Sequence, residues 1–171
     1  MSESTIMLNG VDEGITVIIS TTVAGAESPN LVIQSVQNIF PDFDLGGNYD
    51  EPKFGKTTSK TLRQENISMN NFLKLLHKQS ILDTALDIMS MNLVDNETNF
   101  QILRQASIAG KVAFNITEKI PLGGVIDIQL SGEGLKDWIE AATWHKGRDF
   151  IPRHIDDERK MDNDGEASTW I

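Results

Sequence analysis

The chain has 171 residues, no cysteine, and a formal net charge of −10. That length suits one domain with a real core, and the missing thiols exclude disulfides, thiolate metal sites and cysteine nucleophiles. The acidic balance argues against a general nucleic-acid binder, whose affinity comes largely from neutralising phosphates.

The opening MSESTIMLNG lacks the basic and apolar blocks of a signal peptide, and no apolar run is long enough to span a bilayer. A cytoplasmic protein is expected, with a flexible leader over residues 1–13. In such a protein the sequons at Asn66, Asn96 and Asn115 are chance matches.

From residue 14, GITVIISTTVAG is rich in β-branched residues and reads as a strand ending at Gly25. Ser28 and Pro29 then supply an N-cap and a first helical position. Leu31, Val32, Ser35, Val36 and Ile39 follow at helical spacing, and Phe40-Pro41 stops the helix. DFDLGG suggests a short second strand. Residues 46–66 are polar and weakly patterned, so a long loop or extended hairpin is expected there.

Phe72, Leu75, Leu76, Ile81, Leu82, Ala85, Ile88 and Met89 form an apolar stripe whose phase slips near Gln79-Ser80. That slip allows two helices joined by a kink. ETNFQIL and GKVAFNI read as strands, PLGG as a turn and VIDIQLS as a final strand. In the last, Val125, Asp127 and Gln129 oppose Ile126, Ile128 and Leu130. GEGLKDWIEAAT closes as a helix with Trp138 on its core side, and an acidic, unpatterned tail is expected over 146–171.

The expected order is β-α-β-α-α-β-β-β-α. This is an α+β fold over residues 14–145, with a mostly antiparallel sheet of four to five strands and helices on one face.

Charge is unevenly spread. Lys53, Lys56, Lys60 and Arg63 fall between Pro52 and Gln64 without an acidic residue, whereas Asp156, Asp157, Glu158, Asp162, Asp164 and Glu166 crowd the tail. FGKTT is not a phosphate loop, because Asp50 stands where the motif needs glycine. The histidines lack metal-ligand spacing, Asp83 and Asp87 read as a solvated helix face, and no serine has the setting of a catalytic triad. Trp144, near Lys146 and Arg148, is a candidate for stacking on a base or a partner chain. Arg104, Gln105 and Lys111 flank a bend between two expected strands, where their donors would converge on phosphate oxygens.

KQSILDTALDIM (78–89), TNFQILRQASIAGKVAF (98–114), PLGGVIDIQL (121–130) and LKDWIEAAT (135–143) resemble a family of small archaeal proteins described as RNA-binding or exosome-associated. The family pattern is matched by Gln79, Ile81, Leu82 and Asp83, then by Phe100, Gln105 and Ala106. Gly110, Val112, Phe114, Pro121, Leu122 and Gly123 complete it. Ile102 and Arg104 stand where the pattern has Leu and Lys. Leu86 replaces a frequent basic residue, and the tail lies outside the pattern. The resemblance implies a fold similar to the ribosomal proteins that contact 5S ribosomal RNA, and a homodimer.

The resulting expectation is a non-enzymatic RNA-binding accessory protein without metal or cofactor. Arg104, Gln105 and Lys111 would contact RNA at a sheet end, and Lys53, Lys56, Lys60 and Arg63 would act as a basic arm. The alternative is a dimeric protein–protein module that joins ribosomal or RNA-degradation subunits without touching RNA.

Overall fold

A computed structural model describes residues 8–25, 27–45 and 59–149. The β-branched run becomes β1 (Thr16–Val23), with Val17, Ile19, Thr21 and Val23 buried on alternate positions. Helix α1 (Pro29–Gln37) begins where expected, the Ser28 hydroxyl accepting the Leu31 N–H at 3.4 Å.

The second strand is not DFDLGG. Phe43 instead turns inward, completely buried, and its carbonyl accepts from Gln37 Nε2 at 2.8 Å. Strand β2 is Lys60–Glu65, inside the segment expected to be a long loop or an extended hairpin, and it pairs antiparallel with β1. Only Leu62 of β2 is buried, which is why its sequence carries no apolar pattern.

The apolar stripe does divide, into α2 (Asn70–Lys78) and α3 (Leu82–Met91). The Ser80 N–H reaches His77 O at 3.1 Å and the Ile81 N–H reaches Leu76 O at 3.0 Å, with Ser80 at φ +59°. This pattern of bonds is a Schellman close, usually built on glycine.

Strand β3 (Glu97–Leu103) follows a tight turn through Asp95 and Asn96, both at positive φ. The expected GKVAFNI strand is absent. The chain enters a short helix, α4 (Arg104–Ile108), and of residues 110–116 only Phe114 bridges back to β3, at Ile102. Phe114 and Val112 serve the core rather than a ladder. Phe72 is the hub of an aromatic cluster, its ring centroid 5.6 Å from Phe40, 5.9 Å from Phe100 and 6.4 Å from Phe114. Such pairs contribute about 1 kcal/mol each beyond their burial.

Strand β4 (Val125–Ser131) and helix α5 (Leu135–Ala142) complete the chain order β-α-β-α-α-β-α-β-α. The four strands form one antiparallel sheet in the order β2-β1-β4-β3. The helices supply the buried partners of one sheet face. The other face carries Thr16, Ser20, Arg63, Gln129 and Asn99 outward.

Residues 8–13 are not a free leader. Asn9 O accepts the Met69 N–H at 2.9 Å, and Val11–Glu13 form a 3-10 turn. The Glu13 carboxylate takes the Asn9 N–H, the Gly10 N–H and Trp138 Nε1 at 2.8–3.1 Å. Gly10 sits at φ +84°, and a Cβ there would lie 3.2 Å from Val17 and 3.5 Å from Trp138. Among the described residues no helix is long and apolar enough to cross a membrane.

Candidate functional site

The four strands end or begin together where β1 closes at Val23, β2 opens at Lys60, β3 closes at Leu103 and β4 opens at Val125. This is the sheet end the sequence pointed to, and Arg104 stands at its centre. Its direction is the reverse of the expected one. Arg104 is 3% exposed. Nε donates to Gly123 O at 2.7 Å, Nη1 to Thr21 Oγ1 at 3.0 Å and Thr22 O at 2.7 Å, and Nη2 to Glu27 Oε2 at 2.6 Å. The guanidinium joins β1, the segment leading into α1 and the 121–124 turn, with four of its five donors already taken. It is an internal brace and not a phosphate contact.

The other expected residues are not gathered into one site. Gln105 is exposed at this sheet end, next to Gly123, and Lys60 is exposed at the same end. Arg63 lies on the open sheet face, paired with Glu65 at 2.9 Å, both side chains about half exposed. An ion pair so placed contributes little. Lys53 and Lys56 lie outside the described residues, as does the tail from Phe150.

Lys111 belongs to a different surface. Gln79 clamps the Val112 backbone, Nε2 to Val112 O at 2.9 Å and Oε1 from the Val112 N–H at 2.8 Å. That clamp sets Lys111 alongside the end of α2, where Lys74 and Lys78 share a face at i, i+4. All three lysines are exposed, and none has an ion pair among the described residues. The sequence displayed Lys74 and Lys78 as a helical pair, but nothing in it brought Lys111 to them.

Asp83 is not simply solvated: His145 Nε2 lies 2.9 Å from its Oδ1, closing α5 onto α3. That pair and His77, Ser80 and Leu82 line a 240 Å³ pocket. Among the described residues no three His, Asp or Glu side chains are grouped to hold a metal. Trp138 is buried as expected, and Trp144 is half exposed.

A second group was missed because it has no periodicity. Ile116, Ile120 and Leu122, in the connection before β4, are 78%, 76% and 94% exposed. Ile108 on α4 and Leu31 on α1 are also mostly exposed.

No family model matches the chain. A protein of Sulfurisphaera tokodaii described as a UPF0201 protein is 34% identical over 133 residues, covering 74% of this chain and 88% of its own length. The chain belongs to the UPF0201 family. A second UPF0201 protein, from Methanothermobacter thermautotrophicus, is 30% identical over 71% of this chain and 87% of its own length. The crystal structure of the UPF0201 protein from Methanococcus jannaschii superposes with a TM-score of 0.62 at 26% identity, covering 77% of this chain and 96% of that one. The expected kinship with a family of small archaeal proteins is met at that level. UPF0201 membership fixes the fold and its archaeal kinship, and it carries no reaction or ligand with it.

Proposed function

We propose that this UPF0201 chain is a non-catalytic protein-interaction module that self-associates through the connection between β3 and β4. The observation that supports it most is the exposure of Ile116, Ile120 and Leu122 within seven residues, at 76–94%. Burying such side chains against a partner recovers roughly 2 kcal/mol apiece, and exposed apolar groups held close together are a usual mark of an interface. Sedimentation of the wild-type chain beside an Ile116→Asp/Ile120→Asp/Leu122→Asp variant tests the reading. The expected result is a dimer reduced to monomer by the three changes. A wild-type chain that stays monomeric at high micromolar concentration would remove it.

One observation favours RNA contact as a second reading: Lys74, Lys78 and Lys111 are exposed and have no ion pair among the described residues. In that reading these lysines, with Gln105 and the basic arm, take over the role first expected of Arg104. The partners would be RNA or the ribosomal and RNA-degradation subunits that carry it. Fluorescence anisotropy with single-stranded and hairpin RNA at two salt concentrations tests it. Binding should weaken steeply with salt and be lost in Lys78→Glu/Lys111→Glu.

A further inference from the structure

β3 is an outer strand of the sheet, and its free edge is only partly closed. Alternate residues turn their backbone groups away from β4. The Leu103 N–H reaches Ala113 O at 2.8 Å, Gln101 O accepts the Asn115 N–H at 2.9 Å, and Glu97 exchanges two bonds with Val94. Between these points, Asn99 O is covered by a side chain alone, Asn92 Nδ2 at 3.0 Å. The N–H groups of Asn99 and Gln101 face the same way and meet no acceptor there among the described residues.

The chain leaves the edge at Asn115 for a local reason. Asn115 Oδ1 accepts from the Thr117 N–H and hydroxyl at 3.3 and 2.9 Å, bending residues 116–119 away from β3.

A groove of about 380 Å³ runs along this edge. Ile88, Met91, Phe100 and Ile116 give it an apolar side, and among the described residues its charged lining is Glu118 and Asp127. Asp127 Oδ1 is held towards the edge by Gln101 Nε2 at 2.7 Å.

We propose that this edge receives an extended partner segment as a fifth strand, one whose side chains alternate apolar and basic. Two partner carbonyls, two residues apart, accept from Asn99 and Gln101, which is the bonding of strand addition. Side chains on an added strand alternate between faces. Its apolar set meets Ile88, Met91 and Ile116, and its lysines or arginines meet Asp127 and Glu118. The inference rests on the interaction-module reading and gives that module a partner chemistry.

The probe is a capped Val-Lys-Val-Lys-Val-Lys peptide, added at millimolar concentration to the ¹⁵N-labelled full chain and followed by amide hydrogen exchange. The peptide should slow exchange at both Asn99 and Gln101, whereas a Val-Glu-Val-Glu-Val-Glu peptide should leave both unchanged. Asp127→Asn, which keeps the shape of β4, should weaken binding about fivefold. Unchanged exchange at the two amides, or equal protection by the acidic peptide, overturns the proposal. Sedimentation separates the two readings. A self-associating chain whose amides ignore the peptide sinks the strand-addition proposal alone, and a monomeric chain whose amides respond sinks the apolar-loop reading alone.

Discussion

The connection between β3 and β4 holds two regions that treat their side chains in opposite ways. At its start, a fully charged residue, Arg104, is 3% exposed; towards its end, Leu122 is 94% exposed. The difference lies in available partners. Arg104 finds two backbone carbonyls, a hydroxyl and the Glu27 carboxylate within 3.0 Å, which offset its loss of water. Ile116, Ile120 and Leu122 stay 76–94% exposed, and even Ile116, beside the apolar side of the edge groove, is not covered there. Along this connection burial follows the supply of complementary groups rather than residue type, and an apolar group left outside points to a supply elsewhere.

Removing the brace tests that comparison most severely. Arg104→Ala would leave Glu27, Gly123 O and Thr22 O without their donor, at a cost of roughly 3–5 kcal/mol in a urea melt. A loss under about 1 kcal/mol would mean the guanidinium is a passenger. Gly124→Ala sharpens the point. Its backbone sits at φ +77°, and an added Cβ would lie 2.7 Å from Arg104 Cζ, so a loss of about 2 kcal/mol is expected. Combined with Arg104→Ala the two losses should fall short of additive, because the clash partner is gone.

Glu13 is an intermediate case, exposed yet accepting three hydrogen bonds on its Oε1. Burial pushes its carboxyl upward, but the Gly10 N–H, Trp138 Nε1 and the Asn9 N–H outweigh it and leave it below the usual range of about 4.5. A carboxyl depressed in the folded state stabilises above its unfolded value and loses that contribution as pH falls through the folded one. Wild type should therefore lose stability below about pH 4.5 more steeply than Glu13→Gln, measured by thermal melts across pH. The smallest effect belongs to Leu122→Ser, which should change monomer stability by less than about 0.5 kcal/mol while weakening association. A large loss of monomer stability would place Leu122 in the fold and collapse the contrast.

Much of the fold was legible because burial and periodicity agreed. β1, β3 and β4 each present alternate residues to one core, and the phase slip at Gln79-Ser80 marked a real helix end. β2 was not separable from loop in the sequence because it buries Leu62 alone. The segment 110–116 misled because Val112 and Phe114 are apolar for the aromatic cluster, while their backbone makes only one bridge. The site was less legible. Arg104 read as a strand-end cation because its four partners are scattered over residues 21, 22, 27 and 123, a convergence no local pattern contains. The lysine stripe likewise depends on a clamp between Gln79 and Val112.

The sheet order has a consequence for how the chain is made. β1 is central, yet one of its two neighbours, β4, pairs Thr16 with Ser131 from the far end of the fold. As the chain leaves a ribosome, β1 must wait with one side unpaired until nearly all the remaining strands and helices have emerged. Contacts this distant in sequence slow folding, and an unpaired strand rich in valine, isoleucine and threonine is prone to the wrong partner. A chain arrested before Ser131 therefore keeps one edge of its central strand open to its surroundings.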